Sequence, residues 1–315
     1  MKLLVTGGAG YIGSHVVHQA IAAGHECVVI DNLSTGIDSR VDADLVQLDL
    51  AAPNALAELT KLLTQTRFDS VIHLAARKQV GESVEIPERY FLDNIGGLGN
   101  LLLAMRETGH DSMVFSSSAA TYGMPDVDQV REDDLPAPIN PYGQTKLIGE
   151  WMIQNASRWG LRGVSLRYFN VAGTGVAGLS DTAALNLIPI AIGQLRRGET
   201  PVVFGSDYPT SDGSCIRDYV HVSDLAEAHL VAVDYLEREN RPHSVFNVGT
   251  GQGASVFEVL SELSRVSGIE FTPKVSDRRA GDPPKLVANV DRIRKTLGFE
   301  AKHSLTEIVE SAWNL

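Results

Sequence analysis

Cysteine is nearly absent from this chain: Cys27 and Cys215 are the two found among 315 residues. Thiols so few and so far apart offer no disulfide framework and no zinc-ligand spacing, which excludes stapled secreted scaffolds and zinc-finger modules. Both read as structural thiols. Long apolar runs are missing too, since no stretch approaches the roughly 20 residues needed to span a bilayer. Met1 stands one residue before the run Leu3-Leu4-Val5, leaving no room for a signal or transit peptide, so a cytoplasmic location is expected. Cations are short in number, with 27 Lys and Arg against 39 Asp and Glu for a net charge of -12. Binding a phosphate backbone needs clustered Lys and Arg, so nucleic acid is an unsuitable partner, whereas a small anion can be held by a few arginines. There is no internal repeat or low-complexity tract. What remains is a 43% hydrophobic chain, long enough for one large core plus a lobe.

Six short apolar runs mark the first half: Leu3-Leu4-Val5-Thr6, Cys27-Val28-Val29-Ile30, Leu45-Val46-Gln47-Leu48, Val71-Ile72-His73-Leu74, Met113-Val114-Phe115 and Val164-Ser165-Leu166. Runs of this kind suit parallel strands covered on both faces. Helical patterns lie between them, at 12–23 closed by Gly24, at 54–66, at 87–108 closed by Gly109, and from Pro141 behind the N-cap Asn140 to a stop at Gly160. Six alternations of strand and helix predict an α/β fold with a doubly wound, Rossmann-type parallel sheet. Beyond Asn170 the pattern loosens, with further helices expected at 186–197, 222–236, 256–267 and 305–313. The expected division is a first domain over 1–170 and a smaller C-terminal α/β lobe over 171–315, with part of 216–250 returning to the first.

Directly after the first strand comes Gly7-Gly8-Ala9-Gly10-Tyr11-Ile12-Gly13, a G-x-x-G-x-x-G loop that opens a helix. Glycines there permit a tight turn and close approach to a pyrophosphate, which rests against the positive end of the helix. Asp31 follows Gly13 by 18 positions, at the end of the second strand, where a carboxylate accepts from adenosine ribose hydroxyls and repels a 2′-phosphate. Asn32 and Ser34 beside it bring no arginine to reverse that preference, so NAD is expected over NADP. Asp49, at the end of the third strand, is a candidate for the adenine edge, and Ala75-Ala76-Arg77-Lys78 follows the fourth.

Ser116-Ser117-Ser118 ends the fifth strand, and Pro141-Tyr142-Gly143-Gln144-Thr145-Lys146 starts the helix after it. Residues four apart share a helix face, so Tyr142 and Lys146 point into one cleft. An ammonium beside a phenol favours phenolate, and a tyrosine brought near neutrality can take a proton from a hydroxyl. Ser118 can donate to a substrate oxygen and share its proton with Tyr142.

A glycine-rich NAD loop, a strand-end serine and Tyr-x-x-x-Lys, in that order, resemble the extended short-chain dehydrogenase/reductase family. Val80-Gly81-Glu82-Ser83, Phe115-Ser116-Ser117-Ser118-Ala119, Arg167-Tyr168-Phe169-Asn170, Arg217-Asp218-Tyr219-Val220-His221-Val222 and Arg278-Arg279-Ala280-Gly281-Asp282 narrow the resemblance to its UDP-glucose 4-epimerase branch, over essentially the whole chain. That resemblance implies a homodimer that binds NAD and a UDP-sugar and inverts C4 through a transient 4-keto sugar, in galactose metabolism. Tyr142 would be the base toward the 4-hydroxyl, helped by Ser118, and Lys146 would hold the nicotinamide ribose and lower the Tyr142 pKa. The same resemblance puts Tyr11, Ile12, Leu50, Leu74, Asn94, Ser116, Tyr168 and Phe169 at the cofactor, with Lys78 beside both the nicotinamide region and the sugar. Arg217 and Arg279 would clamp the diphosphate, Asn170, Asn186 and Leu187 would contact phosphate and sugar, and Phe204 and Asp282 would meet uracil and its ribose. No metal site is implied.

One departure concerns the sugar. Members restricted to UDP-glucose and UDP-galactose often carry tyrosine four residues after the Gly-Asp pair, and here the position is Leu286. Two outcomes stand open: room for a 2-acetamido group, making UDP-N-acetylglucosamine and UDP-N-acetylgalactosamine a second substrate pair, or another side chain filling the space. Related dehydratases and decarboxylases place acids after the strand-end Ser or Thr, whereas this chain has Ala119 and Ala120, which move no protons. The remaining alternatives are another NAD-dependent nucleotide-sugar epimerase or dehydratase, or a non-catalytic NAD-binding regulator.

Overall fold

In the computed structural model, which describes residues 1–279 and 281–314, the chain forms two compact units. The first comprises Met1–Thr121, Pro136–Arg167 and Ala226–Phe246; the second comprises Tyr122–Leu135, Tyr168–Leu225 and the chain from Asn247 on. Residues 122–135, ahead of the expected boundary at 170, therefore cluster with the second unit.

Along the chain the strands are β1 (Lys2–Thr6), β2 (Glu26–Asp31), β3 (Asp44–Gln47), β4 (Ser70–His73), β5 (Ser112–Ser118), β6 (Arg162–Tyr168), β7 (Asn170–Ala172), β8 (Val202–Phe204), β9 (Ile216–His221), β10 (His243–Val248), β11 (Gly253–Ser255), β12 (Lys274–Ser276) and β13 (Lys285–Leu286). The helices are α1 (Tyr11–Ala22), α2 (Ala55–Gln65), α3 (Val80–Glu85), α4 (Pro87–Tyr90), α5 (Gly97–Thr108), α6 (Pro141–Ala156), α7 (Leu187–Arg196), α8 (Val222–Arg238), α9 (Val256–Ser267), α10 (Asp291–Leu297) and α11 (Leu305–Asn314). No helix among the described residues is long and apolar enough to cross a membrane.

All six apolar runs are strands of one sheet, ordered β10-β6-β5-β4-β1-β2-β3, and the pairings from β3 to β5 are parallel. This is the doubly wound order, whose direction reverses between β1 and β4; ligands of such sheets bind at the carboxyl ends beside that reversal. The seventh strand, β10, carries His243, Ser244 and Asn247 and has no apolar run to announce it. Leu59 and Leu63 of α2 and Leu101 and Met105 of α5 are buried with Leu4, Val71 and Met113, closing one face of the sheet. The helical stretch expected at 87–108 is continuous but not uniform. A π-helical segment, Phe91–Gly96, separates α4 from α5, and Gly109 ends the run in a left-handed conformation. One wide turn inside a helix is a frequent mark of a functional region, and this one carries Asn94.

In the second unit β9 pairs with β7 and β13 in parallel and with β11 antiparallel. Ile188, Val203, Tyr219, Val259, Leu263 and Ile308 form its core. The expected helix at 256–267 is α9, fixed by a capping box in which Ser255 Oγ accepts from the Glu258 N–H and Glu258 accepts from the Ser255 N–H.

Burial of imidazole makes the first unit acid-sensitive. His73 is enclosed in β4, its Nδ1 is 2.7 Å from Thr6 Oγ1, and its ring stacks on Phe115. Burial, reinforced by the Lys146 charge, pushes its pKa down from 6.5 to about 3. The unfolded chain then binds a proton that the folded chain refuses between those values, so stability is full above about pH 6.5 and falls as pH drops toward 3. The contribution of His73 is at most about 5 kcal/mol. Urea midpoints measured from pH 7 to pH 4 should fall, and His73→Asn should flatten the slope; an unchanged slope in that variant refutes the assignment.

Candidate active site

The cofactor end is built where β1 runs into α1. The Gly7 N–H donates to Ile30 O at 2.7 Å, turning the chain across the end of β2. A Cβ on Gly13 would lie 2.1 Å from Gly7 O, so α1 can sit on this turn only with glycine there. Gly10 is the N-cap of α1 and supplies no side-chain acceptor, and the first turn contains no acid. The positive end of a twelve-residue helix is thus left for an anion from outside the chain. Asp31 ends β2 with a buried carboxylate whose oxygens accept from the Ala9 N–H at 3.0 Å and the Leu33 N–H at 2.9 Å. A carboxylate has about four lone-pair sites, so this fixed anion keeps acceptor capacity for ribose hydroxyls. Asn32 accepts from the Ser34 N–H and Asp49 from the Ala51 N–H, each shaping the turn after its strand. Leu50 is buried in the core, Leu74, Ala75 and Ala76 are half-buried beyond β4, and Lys78 is exposed. Glycine cradle, uncompensated helix end and pinned carboxylate together fit a dinucleotide.

The chemical end lies on α6 and the end of β5. Asn140 Oδ1 accepts from the Gly143 N–H at 2.8 Å and Pro141 occupies the first turn, as the sequence predicts. A Cβ on Gly143 would lie 2.5 Å from Ala120 O, so the turn after β5 rests directly on the helix start. Ser118 and Tyr142 are both buried on the two sides of this contact, and the Ser118 hydroxyl acts on the phenol. Lys146 Nζ donates to Ser116 O at 2.7 Å and stands 5.9 Å from the Tyr142 ring centroid.

The electrostatics differ from the sequence expectation. An ammonium four residues on was expected to pull the Tyr142 pKa down, but burial pushes the phenol up, with the Ser118 hydrogen bond opposing. Burial also pushes Lys146 down to about 7, opposed by the Glu150 carboxylate. Pairing by spacing alone neglects desolvation, which penalises the charged form of both partners.

Neighbouring groups fix this arrangement. Asn94 Oδ1 accepts from the Arg77 N–H at 2.8 Å, while its amide nitrogen donates to Arg77 O and to Thr145 Oγ1, beside Lys146. Its side chain thus joins the turn after β4 to α6. Ser116 Oγ is 2.7 Å from His229 Nε2, so its side chain is turned to α8. The sequence reading missed Glu150, which accepts from Ser117 Oγ at 2.5 Å and from Arg167 through Nε at 2.9 Å and Nη2 at 2.7 Å. A carboxylate four residues beyond Lys146, on the face that carries Tyr142, was the available signal.

The second unit holds the other expected residues. Arg217 is largely buried; its Nη1 donates to Ile216 O and Pro283 O, and its Nη2 lies 3.5 Å from Asp282. Leu286 is the β13 neighbour of Arg217 in register. The Arg279 guanidinium lies 3.9 Å over the Phe204 ring. Asn186 is the N-cap of α7, which starts at Leu187, and Asn170 opens β7 opposite Tyr219. Tyr168 and Phe169 precede Asn170, and the Phe169 N–H donates to Val248 O at 3.2 Å. Ala280 of the quoted arginine motif lies outside the described residues.

A family model for the NAD dependent epimerase/dehydratase family matches residues 3–249. The chain is 46% identical to a UDP-glucose 4-epimerase of Azospirillum brasilense, over 99% of this chain and 90% of that protein. Two solved structures show the same likeness. One is the UDP-glucose 4-epimerase from Brucella ovis in complex with NAD (TM-score 0.94, 41% identity, 99% of this chain and 97% of that one). The other, from Stenotrophomonas maltophila with bound NAD and formylated UDP-arabinopyranose, gives a TM-score of 0.95 at 36% identity, covering 100% and 97%. With the matched region spanning both the glycine loop and the Ser118, Tyr142 and Lys146 set, the chain belongs to the NAD dependent epimerase/dehydratase family and, within it, to the UDP-glucose 4-epimerases.

Proposed function

We propose that this protein interconverts UDP-glucose and UDP-galactose by inverting C4, with Ser118, Tyr142 and Lys146 as its catalytic residues. The observation that carries the reading is the lacing of β5 to α6, which sets a buried serine against a buried tyrosine with a buried lysine one turn on. The Gly10 end of α1 takes the pyrophosphate of the cofactor and Asp31 its adenosine ribose. NAD, when bound, supplies a hydride acceptor and donor for C4 and a positively charged ring. Tyr142 removes the proton of the 4-hydroxyl and later returns it, Ser118 shares that proton, and Lys146 meets the nicotinamide ribose. The 4-keto sugar turns between the two steps, so grip belongs on the nucleotide and not on the hexose. Arg217 and Arg279 supply that grip on the diphosphate. Ala119 and Ala120 leave no acid for elimination or decarboxylation. Purified protein should convert UDP-galactose to UDP-glucose without added oxidant or reductant; a folded, NAD-loaded protein without turnover would instead be a regulator.

Leu286 widens the substrate class in this reading. It is half-buried and lies beside Arg217 in the sheet register. We expect turnover of UDP-N-acetylglucosamine and UDP-N-acetylgalactosamine within about 100-fold of the unsubstituted pair, and Leu286→Tyr to depress the N-acetyl reaction selectively, since one pocket contact is worth about 1–3 kcal/mol. Equal loss on both pairs would refute a role in discrimination. Large apolar side chains stand exposed along the two helices flanking the site, Leu92 at 62%, Leu103 at 48% and Trp151 at 53%. Exposed apolar side chains of this size support the homodimer, which sedimentation at micromolar concentration would test. We place the reaction in the cytoplasm, within galactose metabolism.

A further inference from the structure

Three consecutive residues of β5 are tied to three successive turns of α6. Ser118 acts on the Tyr142 phenol, Ser116 O accepts from Lys146, and Ser117 Oγ donates to Glu150, the helical residues being spaced four apart on one buried face. The first two ties involve groups that the proposed reaction uses. The third does not, although it is as fully enclosed as the second, with Glu150 and Arg167 side chains 3% and 5% exposed. A buried ion pair of this kind is weak evidence for stability, because desolvation offsets most of the Coulomb gain. Its geometry suits another task. The Glu150 carboxylate is held by two guanidinium bonds and the Ser117 hydroxyl, and Ser117 is the residue directly before Ser118.

We propose that Glu150 is a positioning residue for the reaction: anchored by Arg167, it fixes Ser117 and so the register of Ser118 on Tyr142, and its charge offsets the cost of the buried Lys146 ammonium. The inference rests on the catalytic reading of Ser118, Tyr142 and Lys146 given above. Burial alone drives Lys146 toward the neutral amine, and Glu150 is the group that acts in the opposite direction. The other titratable groups around this cluster are Tyr142 on α6, His73 on β4, His229 on α8 against Ser116, and Arg167 and His243 beside Glu150. His73 and His243 are both pushed down by burial, so neither titrates on the alkaline side where Lys146 would lose its proton.

Two variants test the inference. Ser117→Ala removes the strand tie and leaves the ion pair. Glu150→Gln combined with Arg167→Met removes both charges together, so no lone charge is left buried. Each would be compared with wild type and Tyr142→Phe for kcat and KM with UDP-galactose, bound NAD, and the pH dependence of kcat. Ser117→Ala should lower kcat about 10-fold with KM and NAD content unchanged, a modest share of the roughly 100-fold that a 1 Å misplacement can cost. The double variant should lose at least as much kcat, and the alkaline limb of its profile should move to lower pH by at least about half a unit, as loss of a nearby anion requires. A merely structural role would lower the melting temperature and leave kcat and the limb in place. Folded, NAD-loaded variants with wild-type kcat and pH profile overturn the proposal. Retained turnover in Tyr142→Phe would overturn the catalytic reading itself, and is a separate result.

Discussion

Tyr142→Phe lowers the turnover of UDP-galactose by about 10³-fold or more while NAD remains bound. Proton transfer by a positioned side chain contributes roughly 10²–10⁴-fold, and phenylalanine removes the one group that transfers it. Little else changes. The ring keeps its volume, α6 keeps its Asn140 cap, and Ser118 Oγ still accepts from the Ala120 N–H. The glycine loop and Asp31 do not involve Tyr142, so cofactor content should match wild type. The measurement is kcat together with NAD released on denaturation, and a variant retaining more than about a tenth of wild-type kcat would exclude Tyr142 as the proton carrier.

Arg167→Met destabilises the fold by about 3–5 kcal/mol, because it strands the Glu150 carboxylate in the core, where the Ser117 hydroxyl alone does not offset the buried charge. The side chains are of similar length, so the loss is electrostatic and not a cavity. Pairing the change with Glu150→Gln should recover most of the stability, since the charges then leave together. Arg197→Met removes one member of the exposed Arg197–Glu199 pair and should leave the urea midpoint unchanged, because solvent screens both ions. Urea midpoints of the four proteins at pH 7 check this. An Arg167→Met midpoint equal to wild type would mean that water already reaches Glu150.

Much of the fold is legible in the sequence because the physics that forms it is local. Six apolar runs become β1 to β6, Asn140 and Pro141 start α6, and the helix at 256–267 appears as α9. The parts that were not legible depend on partners remote in sequence. β10 alternates polar residues whose bonds go to distant groups: Asn247 is satisfied by Tyr122, Val130 and Glu132, more than a hundred positions earlier. The π-helical segment at Asn94 is stabilised by Arg77 and Thr145, which no helical pattern can announce. Spacing puts Tyr142 and Lys146 on one face, but spacing carries no dielectric, and burial pushes the Tyr142 phenol up where an ammonium alone would pull it down. Glu150 lies on the same face, but its partners, Ser117 and Arg167, belong to two strands, β5 and β6, that helix spacing does not bring into view.

The central claim is tested most directly by incubating the purified protein with UDP-galactose carrying deuterium at C4, in ordinary water, and following both the sugar and its label. The account predicts UDP-glucose with the deuterium retained at C4 and no net consumption of NAD, because the label leaves and returns within one site while Tyr142 handles only the hydroxyl proton. Loss of deuterium to solvent, or no UDP-glucose from a folded and NAD-loaded protein, would contradict it.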